Sequence, residues 1–223
     1  MRILLVEENK SPDNGIKTGL KKKYGYTVDT LDIGVTLLSC IQTETFDVIV
    51  LDLNSSDSPG LNTLRKIREV DIRTPVLFLT GSKSSNDNIK VLNNGADYYV
   101  TKPADLKEVS ARIHALHRNS NNRASLLLTY QDIVLNPSTS SVTFKGKDIN
   151  FSRREFSLLQ KLLENEGHVV SRISLNQCLY GWADEVDSNA IEVHVHNIRK
   201  KLANTHFIQT IRGIGYRVVK ENV

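Results

Sequence analysis

Short apolar runs and amphipathic segments alternate five times over residues 1–118, and this alternation constrains the fold more than any other feature of the chain. The apolar runs predict five strands, at Arg2–Val6, Tyr26–Leu31, Phe46–Leu53, Pro75–Thr80 and Asp97–Thr101. Several are continuous runs of Val, Ile and Leu, the pattern of strands covered on both faces. The intervening segments have a helical period and predict helices at about 11–24, 34–44, 60–70, 84–94 and 105–118. Serial β-α units of this kind predict an α/β domain with a doubly wound, five-stranded parallel sheet.

A different organisation begins after the polar segment NSNNRAS, which predicts a linker over residues 119–126. Helix signals follow it, and the first is SRRE, a capping box with Ser152 as N-cap and Glu155 reaching back. Residues 127–223 therefore predict a second domain of α+β type. Its predicted elements are strands at 127–135 and 142–145, a helix after Ser152, helices at 171–180 and 188–203, and a hairpin at 207–219.

Charged and polar side chains lie at the ends of four predicted strands of the first domain. Glu7 and Glu8 end the first strand, Asp52 ends the third, Thr80 ends the fourth, and Lys102 follows the fifth. Ligands of doubly wound sheets bind at the carboxyl ends of the strands, so these groups are expected to converge. Carboxylates form a hard oxygen site suited to Mg²⁺, and a carboxylate beside a divalent cation can attack a phosphoryl group. Each residue alone has an ordinary structural explanation, but their joint placement favours phosphoryl transfer.

The last part of the chain carries one-sided positive charge, with no acid between Val193 and Lys220. Such a run favours a polyanionic partner. In the helix predicted at 188–203, the apolar stripe consists of Ile191, Val195, Ile198 and Leu202. The opposite face carries residue types that contact base edges, thymine methyl groups and phosphates, namely Asn189, Val193, His196, Asn197 and Lys200. We expect Asp187 or Ser188 to cap this helix, and Gly213 and Gly215 to permit the turn of the hairpin that follows it.

Composition is that of a globular protein, with 39% hydrophobic and 24% charged residues. We find no run near the roughly 18 apolar residues of a membrane helix and expect no signal peptide. Cys40 and Cys178 form no Cys-x-x-Cys motif and read as reduced core residues. The expected location is the cytoplasm.

Two sets of motifs resemble a known family and together cover essentially the whole chain. Glu7, Glu8, Asp52, Thr80 and the segment GADYYVTKP resemble the receiver domain of two-component response regulators, which has a flavodoxin/CheY-like fold. The segments SRREFSLLQKLL, SNAIEVHVHNIRKKL and IQTIRGIGYRV resemble the winged helix-turn-helix domain of the OmpR/PhoB class, in its PmrA/QseB-like branch.

The resemblance implies a role for each matching residue. Asp52 is expected to accept phosphate from a sensor histidine kinase, beside Mg²⁺ held by Glu7, Glu8, Asp52 and the backbone carbonyl of Asn54. Thr80 and Tyr99 would form the switch pair, and Lys102 would bind the phosphate. In the wing, the expected DNA-binding residues are Arg212, Gly213 and Tyr216. The implied partners are promoter DNA bound as direct repeats, RNA polymerase and a second copy of the chain, through a receiver homodimer.

The chain departs from the family pattern at several positions around this site. Glu8 stands where the family usually has Asp, and its extra methylene extends the carboxylate by about 1.5 Å, which predicts weaker Mg²⁺ binding. Ser56 and Asp57 stand at a usual Pro-Gly pair. Ala104 stands where the family usually has a bulky residue. Tyr98 stands where many relatives have a second Asp that pairs across the receiver dimer.

Two alternatives to a phosphorylation-controlled regulator stay open. In the first, the receiver is a constitutive dimerisation module of a phosphorylation-independent regulator. The other alternative is an aspartyl-phosphate phosphohydrolase, whose nucleophile is generally followed two residues later by a second Asp that transfers protons. Asn54 occupies that position here, so we expect the chain not to be an enzyme.

Overall fold

The computed structural model describes residues 1–8, 15–33, 36–53, 59–70, 72–182, 189–203 and 206–219. The chain divides into two compact units, with the boundary between Arg123 and Ala124.

The first unit contains one parallel sheet of five strands in the order β2-β1-β3-β4-β5. Its strands are β1 (Arg2–Glu7), β2 (Thr27–Asp32), β3 (Val48–Asp52), β4 (Val76–Thr80) and β5 (Tyr98–Thr101). Its helices are α1 (Gly15–Tyr24), α2 (Thr36–Thr43), α3 (Pro59–Glu69), α4 (Ser85–Asn93) and α5 (Leu106–Ser120). The predicted doubly wound sheet is therefore confirmed.

Helices cover both faces of this sheet, which explains the continuous apolar strands. Leu4, Ile49 and Phe78 point to the face covered by α2, α3 and α4, and all three are fully buried. Alternate residues of the same strands point to the opposite face, where α5 contacts β3, β4 and β5. In-register pairing of β1 with β3 places Glu7 beside Asp52 at the carboxyl edge.

A buried arginine fixes the amino end of β1. Arg2 is 1% exposed, and its Nε lies 2.7 Å from Asp29 Oδ2 of β2. Its Nη2 donates to Glu44, and its Cζ lies 4.4 Å from the centroid of the Phe46 ring. These contacts join β1 to β2 and to the segment before β3, and so they support the register that places Glu7 beside Asp52.

The second unit packs three helices between two antiparallel sheets. The first sheet is a meander of β6 (Leu128–Tyr130), β7 (Ile133–Asn136), β8 (Ser141–Phe144) and β9 (Lys147–Asp148). The helices are α6 (Arg153–Glu164), α7 (Arg172–Tyr180) and α8 (Ala190–Lys201). The second sheet has the order β10-β12-β11, from β10 (Val170–Ser171), β11 (Ile208–Ile211) and β12 (Gly215–Val218). The capping box at Ser152 and the buried stripe of α8 are confirmed.

Several predicted boundaries differ from the structure. The strand predicted at 127–135 is two strands, separated by a turn in which Gln131 has φ of 49°. Helix α5 continues to Ser120, into the predicted linker. Strands β9 and β10 were not predicted, since two residues are too few to give a periodic signal.

Candidate functional site

The carboxyl edge of the parallel sheet brings together an acid that ends β3 and a cation that follows β5. Lys102 Nζ forms an ion pair with Asp52 Oδ1, and the two side chains are 26% and 13% exposed. The backbone N–H of Lys102 donates to the carbonyl of Thr80 at 2.7 Å, which fixes the start of the Lys102 segment against β4. Asp52 is thus a partly accessible carboxylate, next to Glu7 and facing an ammonium group.

The acids at this edge are only partly assembled into a metal site. Glu7 is 7% exposed and pairs in register with Asp52, while Glu8 is half-buried. Among the residues that the structure describes, no three His, Cys, Asp or Glu side chains are grouped closely enough to hold a metal ion. Asn54 lies outside the described residues, as do Ser56 and Asp57. The oxygen chemistry fits Mg²⁺, and the predicted four-ligand site stays a prediction.

Thr80 is fully buried and linked by hydrogen bonds to the start of α4. Its Oγ1 accepts from the backbone N–H of Ser82 at 3.0 Å. The Ser82 hydroxyl in turn donates to Asp87 in the first turn of α4 at 2.7 Å. Ser82 and Asp87 were not predicted as site residues, because their roles depend on how the segment after β4 turns.

Tyr99 lies on the same face of the sheet as Thr80, since Thr80 pairs with Thr101 and alternate residues share a face. Tyr99 is half-buried and packs against the core beneath α4. Its ring stacks on Tyr98, with centroids 6.1 Å apart, and the Arg112 guanidinium lies 4.1 Å from the Tyr98 centroid. The predicted switch residues therefore share one side of the sheet.

In the second unit, α8 presents the residues predicted to contact DNA. Asn189, Val193, His196 and Lys200 are exposed, with Val193 at 54%, and Asn197 is half-buried. Asn189 occupies the N-cap position of α8 but makes no side-chain capping hydrogen bond. The caps predicted at Asp187 and Ser188 lie outside the described residues.

The β11–β12 hairpin supports part of the predicted wing. Arg212 is exposed, and Gly213 has φ of 72°, a conformation that favours glycine. Gly215 is needed for a different reason from the one predicted, because a Cβ there would lie 2.0 Å from the Val170 carbonyl oxygen. Tyr216 is only 2% exposed and belongs to the core, so its burial does not support the predicted DNA contact.

Comparison with known families matches both units. The model "Response regulator receiver domain" matches residues 3–114, and "Transcriptional regulatory protein, C terminal" matches residues 146–218. The chain belongs to the response regulators. This response regulator is 44% identical over 218 residues to the response regulator protein PmrA of Pseudomonas aeruginosa, covering 98% of each chain. It is 40% identical over 216 residues to the transcriptional regulatory protein QseB of Escherichia coli O157:H7, covering 97% of this chain and 98% of that one.

Among solved structures, DrrB, an OmpR/PhoB homologue from Thermotoga maritima, shares 29% identity with this response regulator over 98% of each chain, with a TM-score of 0.44. The sequence comparisons establish a DNA-binding two-component response regulator of the OmpR/PhoB class, as the motifs predicted. In the described ranges, the response regulator has no helix of sufficient length and hydrophobicity to cross a membrane.

Proposed function

We propose that Asp52 is the phosphoacceptor of this response regulator. The observation that carries the proposal is the Asp52–Lys102 ion pair next to Glu7, at the carboxyl edge of the sheet. An oxygen of Asp52 attacks the phosphorus of a phosphohistidine on the kinase, the P–N bond breaks, and the imidazole leaves with the electron pair. Lys102 stays beside the acyl phosphate and balances part of its negative charge.

The cation implied at this edge is Mg²⁺, which Glu7, Glu8, Asp52 and the Asn54 carbonyl would hold. When bound, Mg²⁺ neutralises negative charge on the transferring phosphoryl oxygens. Two features of the described residues support this ligand set: the chemistry of the oxygen donors and the neighbouring positions of Glu7 and Asp52.

We assign the response to phosphorylation to Thr80 and Tyr99. An aspartyl phosphate offers new acceptor oxygens, and a Thr80 hydroxyl drawn toward them would disturb the bond that it accepts from Ser82. Because Ser82 also holds Asp87 of α4, that disturbance would reach α4 and the Tyr99 side of the sheet. The expected result is a change in receiver dimerisation.

For the effector unit, we propose that α8 enters the major groove of promoter DNA and that the wing contacts the backbone or the minor groove. The exposed Asn189, Val193, His196 and Lys200, together with half-buried Asn197, would contact bases and phosphates. Arg212, on the turn made by Gly213, would contact phosphate. The protein would act in the cytoplasm as a transcription regulator rather than as a phosphohydrolase.

A homodimer formed through the receivers would place two effector units on direct repeats about 10–11 base pairs apart, one helical turn of DNA. RNA polymerase is the further partner proposed. A footprint that covers a single half-site at saturation would contradict the dimeric arrangement.

A phosphorylation-independent regulator is the second candidate. It is favoured by the described acids, which do not group as a three-carboxylate metal site. Intact-mass measurement after treatment with acetyl phosphate and Mg²⁺ separates the candidates. Phosphorylation at Asp52 predicts one added phosphoryl group on the wild type and none on Asp52→Ala. A labelled Asp52→Ala protein refutes the assignment, and an unlabelled wild type favours the second candidate.

A further inference from the structure

One arginine of the effector unit contacts both α8 and the wing. Arg172 is the first residue of α7, and its Nη1 forms an ion pair with Glu192 Oε1 in the first turn of α8. Its backbone N–H donates to the carbonyl of Ile214, in the turn of the wing, at 3.1 Å. Its Cζ lies 5.7 Å from the ring centroid of Tyr216, on wing strand β12.

The wing side of this arrangement is fixed. Strand β10 pairs with β12 through Ser171 and Gly215, and Gly215 approaches the β10 backbone so closely that no Cβ fits there. The Tyr216 ring is buried in the core. Arg172 therefore projects from a rigid base formed by the start of α7 and the wing.

On α8, Arg172 contacts the first turn of the helix. At the other end, Arg199 donates to the Ile208 carbonyl and to Thr210 Oγ1 of β11, which ties the last turns of α8 to the second sheet. The Arg172–Glu192 pair lies in the opposite, first turn, one helical turn from His196. The two arginines thus hold α8 near both ends.

We propose that the Arg172–Glu192 pair positions α8 relative to the wing, and that it thereby sets how well the protein distinguishes its preferred DNA sequence from others. This inference rests on the proposed DNA-binding function of α8. Arg172 and Glu192 are positioning residues, since they act through the helix rather than by touching a base.

The geometry explains why a small change of angle affects base reading. The 12 residues of α8 span roughly 18 Å at about 1.5 Å per residue. Glu192 lies seven residues from Arg199, or roughly 10 Å along the helix. A tilt of about 5° about Arg199 would therefore move the first turn by roughly 0.9 Å, enough to lengthen a base-edge hydrogen bond of about 2.9 Å beyond its usual limit of about 3.2 Å. Phosphate contacts from flexible lysine side chains survive such a shift, so binding to unrelated sequences should change little.

The pair also controls charge at the DNA surface. Glu192 lies beside Val193 on an otherwise basic helix, and an unpaired carboxylate there would repel phosphates. The ion pair with Arg172 removes that repulsion. It also engages the Arg172 guanidinium, which could otherwise contact a phosphate. The arrangement therefore favours a positioning role over a direct role for either residue.

The test uses the full chain and a library of random-sequence duplexes, from which the wild type selects its preferred duplex. Affinities for that duplex and for a shuffled duplex of the same composition are then measured for Arg172→Met, Glu192→Gln and the double variant. Lys147→Met is the matched control, because it removes one positive charge from β9, in the other sheet of the same unit.

For each single variant, we expect the ratio of the affinity for the preferred duplex to the affinity for the shuffled duplex to fall about tenfold or more. This is about the effect of one mismatched base pair. The double variant should lower it no further, because both changes break the same pair. Arg172→Lys, which keeps the charge but offers no guanidinium fork, should recover part of the ratio. Lys147→Met should weaken both duplexes equally and leave the ratio unchanged.

Three results would overturn the inference. Additive losses in the double variant would mean that Arg172 and Glu192 contact DNA independently. An unchanged ratio of preferred to shuffled affinity in Glu192→Gln would mean that the pair is only structural. Thermal unfolding followed by Trp182 fluorescence shows whether each variant is folded. A wild type that selects no sequence would refute the proposed function itself, a result distinct from the first two.

Discussion

Replacing Arg2 with Met tests how strongly the receiver fold depends on its buried ion network. Arg2 is 1% exposed, and its partner Asp29 is 4% exposed. Arg2→Met keeps most of the apolar stem but removes the cation 2.7 Å from the Asp29 carboxylate. Loss of one partner of a buried pair leaves an uncompensated charge and costs about 3–5 kcal/mol, so we expect a loss of that size in the free energy of unfolding.

A compensating substitution separates the loss of charge from the loss of packing. Arg2→Met combined with Asp29→Asn removes both charges, and we expect it to be more stable than Arg2→Met alone by about 1–3 kcal/mol. Recovery should be incomplete, because the Arg2 contacts with Glu44 and the Phe46 ring stay broken.

Urea unfolding followed by two signals measures the effect in the intact chain. Circular dichroism reports both units, whereas the single tryptophan, Trp182, lies in the effector unit. The tryptophan transition therefore reports the effector unit, so that comparing it with circular dichroism separates the loss in the receiver from any change in the effector unit. A loss below about 1 kcal/mol in Arg2→Met, the value of an exposed ion pair, would refute this reasoning, as would a double variant no more stable than the single one.

Glu8→Asp should tighten Mg²⁺ binding in a titration, because the shorter carboxylate suits octahedral geometry, and unchanged binding would show that the site accommodates Glu8. Arg212→Ala should weaken preferred and shuffled DNA alike and reduce the salt slope by about one ion, whereas Asn197→Ala should cost about 1–3 kcal/mol on the preferred duplex alone. Equal losses on both duplexes for Asn197→Ala would instead indicate a backbone contact. Burial lowers the pKa of His114 to about 4, so the folded receiver resists its protonation and loses about 2 kcal/mol between pH 7 and pH 5. His114→Gln should remove most of that loss, and an unchanged pH dependence in urea unfolding would contradict it.

The sign of the His114 effect follows from its depressed pKa. An unfolded histidine binds a proton near pH 6.5, whereas the folded side chain stays neutral until about pH 4. Between these values the unfolded state binds more protons, so the stability of the receiver falls as the pH falls. The hydrogen bond of 2.7 Å between His114 Nε2 and the Tyr26 hydroxyl lies in the same buried site.

The sequence predicted those features that depend on local pattern. The apolar runs located all five strands of the parallel sheet, and the capping box located the start of α6, because both signals lie within a few residues. The same logic placed Asp52 and Lys102 at one edge, where they form an ion pair.

Features that depend on tertiary contact were not predictable in this way. The motif around Tyr216 is that of a wing, but whether its side chain faces the core depends on how β12 pairs with β10. The bond between Arg172 and Glu192 joins residues 20 positions apart in two helices, and no period in the sequence marks it. Gly215 illustrates the same limit, because the residue was recognised but the close contact that requires it was not.

Phosphorylation of Asp52 is proposed to control DNA binding, and a comparison of four affinities tests this control. The affinity of the full chain for its preferred duplex is measured for the wild type and for Asp52→Ala, with and without acetyl phosphate and Mg²⁺. We predict that the phosphodonor tightens wild-type binding by about 5- to 150-fold, the usual range of coupling between two sites, and leaves Asp52→Ala unchanged. Equal affinities for the wild type under both conditions, or equal tightening of Asp52→Ala, would contradict the claim.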